Sequence, residues 1–239
     1  DLSTLKKLPW NKEPTAQVIC DLYSNSGSPS LIAPRQVLNK IIKLLKENNL
    51  KAVVAPELEF YLCEKNLDPN IPLLTPVGKS GRRANGSDVF GIDSVNEFDI
   101  FLDDIYDYCE MLDIGVDTLV HESGPSQIEI NLNHGDPLKL ADQTFMFKRA
   151  VRQVALKHGI HATFMAKPHQ GQPGSSMHIH QNLVSTKDNK NIFTDLEGKE
   201  TNNFYHYIGG LQEYLPDAMV FFAPYVNSYR RFVINSSAP

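Results

Sequence analysis

In residues 52–62, AVVAPELEFYL, the side chains alternate from Glu57 onward: Glu57, Glu59 and Tyr61 fall on one side and Leu58, Phe60 and Leu62 on the other. Successive side chains of a strand point to opposite faces, so the pattern predicts a β-strand carrying two neighbouring carboxylates over an apolar underside. Two like charges so placed repel unless a cation lies between them. Taken alone, the same pattern is also that of an antiparallel strand with one face in water.

The alternation returns downstream. In HESGPSQIEINLN, residues 121–133, Gln127, Glu129, Asn131 and Asn133 alternate with Ile128, Ile130 and Leu132. Glu122 and Glu129 would stand about 23 Å apart in a fully extended chain at roughly 3.3 Å per residue. Gly124-Pro125 breaks that path and can fold them back together. In MHIHQNL, residues 177–183, His178 and His180 share a strand face opposite Met177 and Ile179. An H-x-H that follows the loop PHQGQPGSS, in a chain with two carboxylate-bearing strands, favours a ligand over a packed histidine.

The candidate ligand set is therefore Glu57, Glu59, Glu122, Glu129 and His178. So oxygen-rich a set suits Mg²⁺ or Mn²⁺ better than Zn²⁺. It carries more negative charge than one cation needs, which points to two or more, as in sites that neutralise nucleotide phosphates during phosphoryl transfer. Rival motifs fail: HESGP lacks the second histidine of H-E-x-x-H, and GSSMH is not a nucleophile elbow.

Helices are expected between these strands. In PRQVLNKIIKLLKENN, residues 34–49, Pro34 suits a first turn and Val37, Ile41, Leu44 and Leu45 recur at helical spacing, giving a surface helix with a basic outer face. In residues 96–113, Phe98, Phe101, Leu102, Ile105, Tyr108, Cys109 and Leu112 form one stripe, with the acidic residues largely opposite. Asp136 caps and Pro137 opens a third helix, with Leu138, Ala141, Phe145, Val151, Val154 and Ala155 inward, ended by His158-Gly159. Short strands are expected at AQVICDLY, residues 16–23, and HATFMAK, residues 161–167. From Glu64 to Asp93 runs a long Pro-, Gly- and Asn-rich loop, in which Arg82 and Arg83 read as solvated charges. Its GKS at 78–80 is not a phosphate loop, because Leu73 stands where a glycine is needed.

Composition bounds the function. The 239 residues, 41% hydrophobic and 21% charged, suffice for one large domain or two small ones. A net charge of −5 argues against general affinity for nucleic acid or an anionic membrane. No apolar run approaches the roughly 20 residues of a membrane helix, and no signal peptide is visible. Three scattered cysteines form neither a disulfide framework nor a zinc knuckle, which fits a reducing cytoplasm. The chain opens without methionine and ends at Ser-Ala-Pro, so it is expected to be a piece of a longer protein.

PELEFYL, HESGPSQIEI, DPLKLADQTFMFKRAV, ATFMAKP, GSSMHIHQN and APYVNSYRRF resemble, in order, successive motifs of the glutamine synthetase superfamily. Within it, QPGSSMHIHQ and FGIDSVNEFD are most similar to the γ-glutamylpolyamine, or γ-glutamylputrescine, synthetases. The resemblance implies an α+β fold, with a curved, mainly antiparallel sheet bearing the carboxylates on its concave face and helices outside. It implies that residues 1–239 are part of a catalytic domain, lacking the family's N-terminal β-grasp domain and C-terminal portion. It also implies an ATP-dependent ligase, with Mg²⁺ or Mn²⁺, that phosphorylates the side chain of glutamate and passes the acyl group to a polyamine, in a homo-oligomeric ring of two hexamers.

By the same resemblance, Glu59, Glu122 and Glu129 hold one metal. Glu57 and His178 hold another, together with a later glutamate outside this chain. Arg231 contacts glutamate and the transferring phosphate and shares the catalytic role with Glu59. Gly174 lies near glutamate, as do Glu59 and His178, while His134, His180 and Asn182 lie near the nucleotide. Two departures bear on the acceptor and the acid. The flap glutamate of ammonia-using members falls at Ser237, which suits a bulkier amine, and an asparagine that touches glutamate falls at Pro173. A glutamine synthetase using ammonia, and a non-catalytic binding or scaffold relative, remain the alternatives.

Overall fold

The structure is a computed structural model that describes residues 1–86 and 88–234. It is a mixed α and β fold around an open five-stranded antiparallel sheet of spatial order β4 (Val116–His121), β5 (Gln127–Leu132), β3 (Leu50–Glu64), β6 (Ile160–Thr163), with β7 (Met177–Ser185) also paired to β3. The long strand β3 is its axis. Along one edge β3 pairs with β5. The other edge is shared: β7 lies along Leu50 to Leu58 and β6 along Tyr61 to Glu64. Outside β5 lies β4.

Period-2 alternation sorts the two faces of β3. Leu58, Phe60 and Leu62 are at most 1% exposed and meet Ile128, Ile130 and Leu132 of β5 in the core. The same core takes the helices α3 (Asp99–Met111) and α4 (Pro137–Lys157). A short α2 (Ile92–Asn96) precedes α3, whose stripe from Phe98 to Leu112 is buried except for the partly buried Tyr108. Asp136 caps α4 by accepting from the N–H groups of Leu138 and Lys139, both at 3.0 Å, and Gly159 leaves the helix at φ +74°. That positive φ suits a residue without Cβ.

Three expectations need correction. The strand at AQVICDLY shrinks to β2 (Ala16–Gln17), because its antiparallel partner β1 (Lys6–Lys7) is preceded by a 3₁₀ turn at Leu2–Thr4, so no extended segment lies opposite Val18 onward. The strand at HATFMAK stops at Thr163, because from Leu58 backward β7 occupies the edge that β6 would need. Phe164 leaves the sheet and sets its ring 5.2 Å from that of Phe60. In α4, Phe145 is 53% exposed while Leu140, Met146 and Phe147 are buried, so the N-terminal half faces the core on a different stripe from the one expected. The surface helix expected at residues 34–49 is present as α1 (Pro34–Glu47), with Val37, Ile41 and Leu44 nearly half exposed and no residue buried.

The described residues between β3 and α2, 65–86 and 88–91, lie in no helix or strand, and Arg83 ties them back by pairing with Glu64 at 2.7 Å. Arg83 remains a solvent-exposed charge of the loop, as expected, and is paired there with Glu64. After β7 come α5 (Asn202–Phe222), which buries no residue, and α6 (Val226–Tyr229). No helix among the described residues is long and apolar enough to cross a membrane.

Candidate metal and substrate site

The sheet register brings the acidic side chains together. Glu59 of β3 stands directly opposite Glu129 of β5, and Glu57 lies between Asn131 on one side and His178 on the other. β4 and β5 form a hairpin closed through Gly124-Pro125, in which the Glu122 N–H donates to the Gln127 carbonyl at 2.8 Å. The turn therefore returns Glu122 to the face that carries Gln127 and Glu129.

Glu57, Glu129 and His178 each offer one ligand atom, all within 4.8 Å of one another. Nδ1 of His178 lies 3.3 Å from Glu57 Oε2 and 4.0 Å from Glu59 Oε1. His180 reaches the other oxygen of Glu57, with Nε2 at 2.6 Å. This is not a wet sheet face, since Glu59 and Glu129 are only 8% and 9% exposed.

Electrostatics follows from that burial. Glu129 is pushed up to about 7, first by burial and then by the charges of Glu57, Glu122 and Glu59. Burial also raises Glu122, opposed by its bond from the Ser123 N–H at 3.1 Å and reinforced by the charge of Glu59. Burial and mutual repulsion that disfavour the Glu129 and Glu122 anions are conditions a divalent cation relieves. Oxygen donors with one imidazole fit Mg²⁺ or Mn²⁺.

Arg231 approaches the same carboxylates from the C-terminal segment. Burial pushes it below its usual range, while the charge of Glu59 pulls the other way. A Cβ added to Gly174 would sit 2.6 Å from the Ala166 carbonyl oxygen and 2.7 Å from Arg231 Cγ, so only glycine lets the loop and the arginine meet. Asn227 secures this segment: its Oδ1 accepts from the Lys167 N–H at 2.7 Å and its Nδ2 donates to the Lys167 carbonyl at 3.0 Å. A cavity of about 680 Å³ opens where β6 gives way to β7, lined among others by Glu59, Ser175, Ser176 and Arg231.

The three residues assigned to the nucleotide sit farther along β3. His180 and Asn182 pair with Ala55 and Val53 from one side. His134, exposed, precedes Gly135, which bridges Val54 from the other. Asn182 Oδ1 is buried without a partner among the described residues, as an acceptor awaiting a ligand donor would be. Pro173 turns its carbonyl to the Tyr61 hydroxyl at 2.8 Å. Ser237 lies outside the described residues.

Two site residues were not singled out from the sequence. The backbone N–H of Ser176 donates to Glu59 Oε2 at 3.1 Å and its hydroxyl to Glu59 Oε1. Gln127 donates to Glu59 Oε2 at 3.0 Å and is fully buried. The alternation did put Gln127 on the acidic face, but a polar residue there carries no signal that separates a clamp from a bystander.

The group Glu57, Glu129 and His178 is a candidate cation site on an open antiparallel sheet, and comparison with known proteins gives the family of the chain. The pattern of the glutamine synthetase catalytic domain matches residues 31–239, and the chain belongs to that family. It is 36% identical over 233 residues to gamma-glutamylputrescine synthetase PuuA of Escherichia coli strain K12, covering 97% of this chain and 49% of that protein. It is 32% identical over 243 residues to glutamate–isopropylamine ligase of a Pseudomonas species, covering 97% and 50%. Against glutamine synthetase of Pyrococcus abyssi it is 34% identical over 239 residues, covering 100% and 51%.

Among solved structures, GmaS without ligand superposes with a TM-score of 0.79 at 26% identity, over 97% of this chain and 52% of that one. The chain spans about half the length of the curated relatives it matches. Those relatives are ligases and synthetases, and members of the family use ATP and divalent metals.

Proposed function

We propose that this chain is the metal- and substrate-binding part of an ATP-dependent ligase that joins glutamate to an amine through γ-glutamyl phosphate, with a polyamine such as putrescine as acceptor. The observation that carries the reading is the meeting of Glu57, Glu129 and His178 within 4.8 Å, with Glu59 directly across from Glu129, in a chain of this family. Glu59, Glu122 and Glu129 would hold one Mg²⁺ or Mn²⁺, and Glu57 with His178 another, completed by a glutamate beyond this chain. Such ions, when bound, neutralise charge that develops on the transferring phosphoryl group.

The residues of the chain do the rest. Ser176 and Gln127 fix the orientation of the Glu59 carboxylate. Arg231, held against Gly174, supplies a cation for the carboxylate being phosphorylated and for the phosphoryl group in transit. His134, His180 and Asn182 contact the nucleotide. The amine then attacks the acyl phosphate carbon, phosphate departs, and the ammonium proton passes to solvent or base.

We assign residues 1–239 to one partial catalytic domain, completed by an N-terminal β-grasp domain and a C-terminal portion in the whole polypeptide. We place that polypeptide in the cytoplasm as a homo-oligomeric ring. The polyamine acceptor is supported by the 36% identity to a γ-glutamylputrescine synthetase and by serine at position 237 in place of a flap carboxylate. Ammonia is the second reading, supported by the nearly equal identity to an archaeal glutamine synthetase.

The test is ADP release by the full-length protein with glutamate, ATP and Mg²⁺, offering putrescine, spermidine and ammonium in turn. Turnover with a diamine and little with ammonium is expected. Preference for ammonium would make it a glutamine synthetase, and no turnover with any acceptor despite metal binding would point to a scaffold relative.

A further inference from the structure

We propose that Gln127 is a positioning residue that locks the metal-facing carboxylate Glu59 to the loop holding Gly174 and Arg231, so that ion site and acid-substrate pocket keep one geometry. The inference rests on the function proposed above. Gln127 is 1% exposed and lies across from Tyr61 in the β3–β5 register. Its one amide reaches three chain segments: Oε1 accepts from the Gly124 N–H at 2.9 Å, and Nε2 donates to Glu59 Oε2 and to the Gly174 carbonyl, both at 3.0 Å.

The amide orientation is fixed by chemistry. Reversed, its oxygen would face a carboxylate and a carbonyl, and its NH₂ would face an N–H. Both donors and the acceptor are therefore in use, in a place closed to water that could replace them.

The three partners give this clamp its meaning. Gly124 belongs to the turn that returns Glu122 to the site. Glu59 also takes both polar groups of Ser176, so its remaining freedom is set by Gln127. Gly174 is pressed against the Arg231 side chain, so a shift of that loop moves the guanidinium.

No near relative of glutamine does the same work. Asparagine is one methylene short, glutamate would set an oxygen against Glu59, and leucine would take the side-chain partner from the Gly124 N–H and the Gly174 carbonyl and leave Glu59 Oε2 with the Ser176 N–H alone of its two donors. A residue that only packed the hairpin would cost stability when replaced and leave ligand affinities alone.

That difference defines the test on the full-length protein. Gln127→Asn and Gln127→Leu are compared with Ser126→Ala, since Ser126 is equally buried but bonds only the Leu62 and Pro125 carbonyls. Mn²⁺ binding without nucleotide is followed by paramagnetic resonance, and KM for glutamate and for ATP are measured separately. Both Gln127 variants are expected to weaken Mn²⁺ binding by about tenfold or more, the usual effect of losing a group that orients a ligand. KM for glutamate should rise with it while KM for ATP stays within about twofold. Ser126→Ala should lower thermal stability with Mn²⁺ binding and KM unchanged.

Wild-type ligand affinities in Gln127→Leu, corrected for folded fraction, overturn the proposal, as do equal losses in Ser126→Ala. If the wild type proves not to be a ligase, the Mn²⁺ titration alone still decides the role of Gln127. A wild type that binds no Mn²⁺ overturns both this proposal and the function beneath it.

Discussion

Replacing Glu129 by glutamine should make the metal-free protein more stable at pH 8 while weakening its hold on divalent cations. In the folded chain Glu129 keeps its proton up to about pH 7, against an ordinary 4.5, because burial and the charges of Glu57, Glu122 and Glu59 disfavour its anion. Between those two pH values the folded state binds more protons than the unfolded state, so stability falls as pH rises. At 1.36 kcal/mol per pH unit the gap amounts to about 3 kcal/mol, less whatever neighbouring carboxylates offset by taking up the proton themselves. Below pH 4.5 the contribution is fully present; above about pH 7 it is lost.

Glu129→Gln has no such proton to lose. Urea unfolding in EDTA should show the variant and wild type nearly equal at pH 4.5 and the variant ahead by up to about 3 kcal/mol at pH 8. Adding Mg²⁺ or Mn²⁺ should reverse the order, since a bound cation stabilises only the state that holds it. A difference between variant and wild type that stays flat from pH 4.5 to 8 would refute the reasoning.

Other outcomes are as definite. Gly174→Ala forces a Cβ to within 2.7 Å of Arg231 Cγ, so KM for the acid substrate should rise at least tenfold with the fold retained, read by steady-state kinetics beside circular dichroism. Asp136→Ala removes the carboxylate that caps α4 and should cost about 1 kcal/mol in urea unfolding without altering metal affinity. Phe147→Ala empties a fully buried site at the centre of α4 and should cost about 3–5 kcal/mol, with loss of thermal cooperativity as the expected sign if that exceeds the margin of the fold.

What the sequence discloses here depends on how local the cause is. Period-2 alternation is a property of the strand itself, so β3 and β5 and the faces on which Glu57, Glu59 and Glu129 stand could be read directly. The caps at Asp136 and Gly159 are equally local. The extent of β6 was not, because its end is dictated by β7, which takes the same edge of β3. The phase of α4 failed for a similar reason: several apolar stripes are available, and packing against α3 and the sheet selects the one with Leu140 and Phe147.

At the site, residue types that stand out by charge or by H-x-H spacing were found. Gln127 and Ser176 were not, since their importance lies in reaching Glu59 across the sheet. Contact between Gly174 and Arg231 joins distant parts of the chain, and no pattern within either segment announces it.

On the function proposed above, the carboxylates gathered on β3 and β5, with His178 on β7, hold divalent cations. A Mn²⁺ titration of the purified protein by paramagnetic resonance, repeated with Glu57→Gln and Glu129→Gln, tests it most directly. More than one bound ion per chain is expected, with affinity at one site falling about tenfold or more in each variant. Binding that is absent, or unchanged by both substitutions, would contradict it.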